Sequence, residues 1–285
     1  MDLVRGAVSA TLAPARGGRL ARLTVAGRDV VAPMDGWGPD PRIWPKTGAY
    51  PLVPYSNRIR DGLLRFRDRS YRLTPHPDAA PSTLHGTGHL RPWATEAARE
   101  GAASLVLRHE PDEHWPWAFE ARQDFTLTGD GIAVDIALRN TGTEAFPAGI
   151  GWHPFVPAGP DATVTVDAGT AWVLDASGLP TGASGPAPAG PSPASAHLSV
   201  WRRARLAEPD GWTVTLTADP NFLHFIVWRP PGGRYACLEP VSHLADGFNL
   251  AALGLAAPEA AGLVVLEPGA TLRGTVTLAA GPAER

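Results

Sequence analysis

Glycine and proline punctuate this chain so evenly that long helices have little room: 31 glycines and 30 prolines are spread along 285 residues, and each breaks or bends a helical run. The stretches between them alternate with a period of two. Val4, Gly6, Val8, Ala10 and Leu12 form one such run, and Ile132, Val134, Ile136 and Leu138 another. Trp212, Val214 and Leu216 alternate with Thr213, Thr215 and Thr217, and Gly274, Val276 and Leu278 with Thr275 and Thr277. Each run reads as a half-buried strand. Turn clusters at Thr128-Gly129-Asp130-Gly131 and Pro230-Pro231-Gly232-Gly233 fall between such runs, as in antiparallel sheets packed face to face.

The pattern continues to both ends with no internal repeat and no shift of composition, so a single domain over residues 1–285 is the economical reading. One stretch departs from it. GLPTGASGPAPAGPSPASA, residues 178–196, has no apolar period and reads as a surface loop, either a connector or a lid.

With 44% hydrophobic residues the chain can fill a sizeable core, and its net charge of −3 is dispersed. No basic footprint for nucleic acid or an anionic membrane follows from that distribution. Cys237 is the only cysteine, which excludes an intramolecular disulfide. The N-terminal MDLVRGAVSATLAP carries Asp2 and Arg5 and no sustained apolar stretch, so it reads as neither a signal peptide nor an anchor. The expectation is a cytoplasmic protein acting on a small neutral molecule, as a monomer or homodimer.

Four segments carry polar groups that a sheet does not need for packing. In PLVPYSNRIR, two prolines approach Asn57 and Arg58, and an arginine fork suits adjacent hydroxyls. Surface placement of Arg58 and Arg60 is the plain alternative. In LHGTGH, Gly86 and Gly88 flank His85 and His89 and would permit close backbone approach to a ligand. GIGWHPF sets His153 beside Trp152 and ahead of a proline that restricts it. A lone histidine is more often packed than catalytic, yet histidine is also the side chain that exchanges protons near neutrality. In YACLEPV, a strand would put Cys237 and Glu239 on one face and Ala236 and Leu238 on the other. Periodicity leaves open which face is buried.

Histidines with a glutamate also make metal sites. Spacing speaks against it here, since two glycines lie in the turn between His85 and His89 and no His-Glu-x-x-His run occurs. Phosphate-loop, dinucleotide and nucleophile-elbow motifs are likewise missing from the sequence. No cofactor is required.

In this order, PLVPYSNRIRDG, LHGTGHLRPW, the run from WPWAFEARQDF to GIGWHPF, LDASGLPTG and CLEPVSHLADGFN resemble the aldose 1-epimerase (galactose mutarotase) family over nearly the whole chain. The resemblance implies an all-β fold, a large antiparallel β-sandwich. It implies interconversion of the α and β anomers of a free aldose, with Glu239 as general base, His153 as general acid, His85 as a second histidine at the sugar, and Asn57 with Arg58 as binding residues. Two related readings are a hexose-6-phosphate 1-epimerase, for which Arg58 and Arg60 could supply cations, and a non-catalytic carbohydrate-binding protein.

One family feature is missing. An acidic residue usually stands near a tryptophan after the long loop, where this chain has Ala196-His197-Leu198-Ser199-Val200-Trp201; His197 or Trp201 is the candidate substitute. Ring opening would set two opposed groups on the sugar, and a carboxylate beside His153 is expected to favour the imidazolium. Trp152, Phe155 and Trp44 could stack on the sugar, although core packing is their ordinary use.

Overall fold

The computed structural model describes residues 1–34 and 46–283; Trp44 therefore lies outside the described residues. It is an all-β protein, a large antiparallel β-sandwich in which most strands join into one sheet from Asp2 to Pro282, while Leu63–Phe66 pairs separately with Arg69–Arg72 and Phe146–Ala148 with Val264–Leu266. The only helices of α type among the described residues are short, Gly247–Ala252 and Pro258–Ala261.

The strand runs predicted at Ile132–Leu138, Trp212–Thr217 and Gly274–Leu278 fall within Gly131–Asn140, Trp212–Ala218 and Thr271–Pro282. These three strands pair side by side, with Ile132 opposite Leu278 and Leu278 opposite Leu216. Their alternating apolar residues face the main core and are buried, except Trp212 and Ala218, which pack half-buried against it. Predicted turns at Thr128–Gly131 and Pro230–Gly233 connect neighbouring strands as expected.

Two expectations need correction. The Val4–Leu12 run is a hairpin, Asp2–Arg5 against Val8–Ala13, rather than one strand. Gly6 turns it at a φ of +58°, a left-handed conformation open to glycine, and the reversal leaves Leu3 buried but Val4 exposed. The proline-rich stretch is also not all loop. Pro180–Pro186 adds a strand to Thr163–Leu174, and Ser195 begins the long strand Ser195–Ala207. The first of these strands is mostly exposed; its backbone pairing needs no apolar side chains, so hydrophobic periodicity gave no sign of it.

The long strand Ser195–Ala207 links the two layers. Its first half, Ser195 to Ser199, pairs with His224–Trp228, and its second half, Ala204 to Ala207, with Trp212–Ala218. Val200 takes a φ of +55° at the changeover. In one layer, Ala49–Leu52, Gly151–Pro157, Tyr235–Val241, His224–Trp228 and Ser195–Ser199 lie side by side. Alternation divides their side chains. Trp152, Leu238, Ala236, Val227 and Leu198 enter the main core, whereas Tyr50, Phe155, Ile226, Cys237 and Val241 form a separate cluster on the opposite face.

Candidate active site

That opposite face is the floor of a cavity of about 310 Å³, at the small end of the ~300–1,000 Å³ typical of small-molecule sites. Register builds the floor. His153 stands opposite Tyr50, and the register that matches Gly151 to Val241 and Phe155 to Cys237 brings His153 level with Glu239. Glu239 in turn stands opposite Ile226, and Ile226 opposite His197. The row Tyr50, His153, Glu239, Ile226, His197 thus crosses five strands, and all five residues line the cavity. Residues so matched in register share one face of a sheet.

The central contact is His153 Nε2 to Glu239 Oε1 at 3.2 Å, with both side chains buried. His153 Nδ1 and Glu239 Oε2 make no hydrogen bond within the protein. The imidazole is held by stacking: ring centroids lie 4.7 Å from Tyr50 and 4.6 Å from Phe155. Behind Tyr50 lies the guanidinium of Arg19, 4.5 Å from the ring centroid, with one amine donating to the Thr47 carbonyl.

Loops cover the row. His85 meets His153 edge-on, 5.0 Å between ring centroids, and its Nδ1 accepts the Asn57 backbone N–H at 3.1 Å. The His85 N–H donates back to the Asn57 carbonyl at 2.8 Å. Both residues have positive φ, 55° and 60°, a conformation these interlocking bonds offset. Arg58 donates to the carbonyls of Ser177 at 2.9 Å and Gly178 at 3.3 Å, which places its guanidinium at the cavity edge.

Burial dominates the electrostatics. It pushes the Glu239 carboxyl up to about 8 and, with the Arg19 charge adding to it, holds His153 well below the usual imidazole range. His85 is lowered well below that range as well, first by burial and then by His153. Burial, and after it the Arg19 charge, thus work against the imidazolium that the neighbouring carboxylate is expected to favour.

His85, His153 and Glu239 also bring one potential ligand atom each within 4.8 Å of one another, a clustering from distant segments that no local spacing reveals. The bonds around them do not suit ligation. A ligating histidine normally donates its other N–H to an acceptor, whereas His85 Nδ1 accepts a backbone N–H, so the neutral ring keeps its proton on Nε2. His153 Nδ1 has no acceptor.

The aldose 1-epimerase family profile matches residues 4–189. The chain belongs to that family. A relative by sequence is the uncharacterized protein YphB of Escherichia coli K12, 27% identical over 248 residues that cover 80% of this chain and 82% of YphB. By fold, a galactose mutarotase-like protein from Clostridium acetobutylicum superposes with a TM-score of 0.85 at 18% identity, over 99% of this chain and 94% of that one. The GalM/aldose epimerase homologue of C. elegans gives 0.84 at 15% identity, covering 100% and 99%.

All five residues that the family resemblance marks, Glu239, His153, His85, Asn57 and Arg58, line the one cavity. The other candidates separate from them. Arg60 turns away to Asp175 at 2.8 Å and Asp246 at 3.5 Å. His89 is buried beneath Tyr50, its Nδ1 near the His85 carbonyl. Gly86 and Gly88 admit the backbone and side chain of Val53, not a ligand, since an added Cβ would lie 2.2 Å and 2.4 Å from Val53 atoms. Trp152 is in the core, Phe155 lines the cavity, and Trp201 packs on Phe225 while donating to the Phe222 carbonyl.

Of the two proposed substitutes for the family's acidic residue, His197 is therefore the one at the site. Sequence reasoning missed the carbonyls of Ser177 and Gly178, the ring of Tyr50 and the cation of Arg19. Carbonyls leave no side-chain signal, and nothing local to Arg19 tells that it is buried.

Proposed function

We propose that the protein is an aldose 1-epimerase that interconverts the α and β anomers of a free aldose, and that Glu239 and His153 transfer the protons. The observation that carries this reading is the 3.2 Å contact between His153 Nε2 and Glu239 Oε1 on the floor of a cavity of monosaccharide scale. The two groups stand side by side rather than opposed across the sugar. Such an arrangement suits the reaction, because the anomeric hydroxyl and the ring oxygen are bonded to the same carbon.

Ring opening removes the proton of the anomeric hydroxyl, protonates the ring oxygen, and breaks the bond from C1 to that oxygen as the aldehyde forms. Glu239 as carboxylate takes the first proton and His153 as imidazolium gives the second. Rotation about the C1–C2 bond exposes the other carbonyl face, and closure reverses both transfers. The pair carries one proton throughout. Before opening it rests on His153, and afterwards on Glu239, the distribution that burial favours. A sugar hydroxyl donating to Glu239 stabilises the first distribution. Each positioned acid or base contributes about 10²- to 10⁴-fold in rate.

His85, with its Nε2–H set by Asn57, serves as a hydrogen-bond donor to the sugar; Asn57 and Arg58 bind it. For the phosphorylated-sugar alternative, Arg60 is engaged by Asp175 and Asp246, while Arg58 and Lys46 line the cavity; rates with free and 6-phosphorylated sugars separate the two readings. Polarimetry on freshly dissolved α-glucose and α-galactose tests the proposal: the approach to equilibrium should accelerate in proportion to protein. Sugar binding in a calorimeter without any such acceleration would replace it with the carbohydrate-binding reading.

A further inference from the structure

His197 is buried, lines the cavity, and has an Nδ1 that is enclosed without a hydrogen-bond partner. Nδ1 is closed off from the cavity, so Nε2 is the ring nitrogen through which His197 can meet a ligand there; buried polar groups in native proteins are nearly always satisfied. Its surroundings define that ligand. Among the described residues lining the cavity, Glu239 is the only carboxylate, and in the proposed reaction it is committed to the anomeric hydroxyl. The remaining hydroxyls must be met by neutral or cationic groups.

Position along the row says which hydroxyls His197 meets. It stands two strands from Glu239, with Ile226 between them, roughly 10 Å away backbone to backbone at the ~4.8 Å spacing of neighbouring strands. With the ring oxygen at His153 and the anomeric hydroxyl at Glu239, continuing along the row in the same sense passes C2 and then C3 of a pyranose. Ile226, between Glu239 and His197 in register, presents apolar C–H groups to the cavity. We propose that His197 is a sugar-contacting specificity residue that reads the hydroxyl on C2 or C3 with an uncharged imidazole. A neutral imidazole offers one donor and one acceptor. Burial, helped by the charge of Arg58, lowers its pKa to about 4 and keeps it in that form.

This inference rests on the epimerase reading and deepens it. The test compares wild type with His197→Asn and His197→Ala, using α-glucose and its 2-deoxy, 3-deoxy and 6-deoxy analogues, with kcat/KM measured by polarimetry. For glucose and 6-deoxyglucose the variants should lose about 5- to 20-fold, the worth of one hydrogen bond to a neutral group. For the 2-deoxy or the 3-deoxy analogue the loss should shrink to about twofold or less, because the partner is already gone, and the asparagine should retain more activity than the alanine. Equal losses on all four sugars, or none, would overturn the role of His197. Wild-type protein inactive on every sugar would instead overturn the epimerase reading itself, and thermal melts of both variants separate a folding defect from either result.

Discussion

Asn57 and His85 clasp each other: the amide of Asn57 donates to His85 Nδ1 at 3.1 Å while the amide of His85 donates to the Asn57 carbonyl at 2.8 Å. This reciprocal pair leaves the neutral ring only the Nε2–H tautomer. Nitrogen-edited NMR of the imidazole should show that tautomer near neutrality, with His85 still uncharged at pH 6.5, its ordinary midpoint, since burial and His153 both lower its affinity for protons. A His85 that titrates at its ordinary value would mean that the pocket is wetter than its burial implies.

Glu239→Gln and His153→Asn should each lower kcat by about 10²- to 10⁴-fold while sugar binding in a calorimeter changes little. Either variant retaining near-normal rates would remove that residue from the proton transfers.

Because the pair works with one proton, kcat/KM should be bell-shaped, and its two limbs belong to the pair rather than to single residues. On the acid side activity falls as a second proton enters, and the depressed His153 puts that limb below the ordinary imidazole value. On the alkaline side it falls near pH 8 as the pair loses its only proton. Removing one partner should abolish the bell along with the rate.

Glu239 should also weaken the fold at alkaline pH. Its carboxyl has a folded pKa near 8 against an ordinary 4.5, so the unfolded chain ionises first. The stability it contributes is complete below about pH 4.5 and is lost as pH rises through 8. Glu239→Gln should therefore match wild type near pH 4 and exceed it by about 2 kcal/mol or more at pH 8.5. Thermal melts across that range would show the gap opening; a constant gap would contradict a buried, protonated carboxyl.

Arg58 spans two carbonyls with separate amines, a fork that an ammonium cannot reproduce. Arg58→Lys should raise KM about tenfold, the cost of one lost hydrogen bond, and leave kcat nearly unchanged. A drop in kcat alone would place Arg58 in the chemistry instead of in binding.

How far the sequence reaches can be seen at particular residues. Ile132 to Leu138 and Trp212 to Thr217 announce their strands because alternation is a local property, set by the pleat. The same rule put Cys237 and Glu239 on one face of Tyr235–Val241, and both do line the cavity. The rule failed at Gly6, where a reversal preserved the two-residue period across a turn. It also failed at Pro180–Pro186, an edge strand held by backbone bonds.

By itself, then, the sequence determined the class of fold and, through its motifs, which five residues belong together: Asn57, Arg58, His85, His153 and Glu239. Only the tertiary structure decided how they meet. Cross-strand register, a relation between residues far apart in the chain, puts His153 beside Glu239 and His197 at the far end of the same row. Burial, which no local pattern measures, then raises the carboxyl and lowers the imidazole. Proton affinity depends on the water a folded site excludes, and that is a property of the assembled molecule alone.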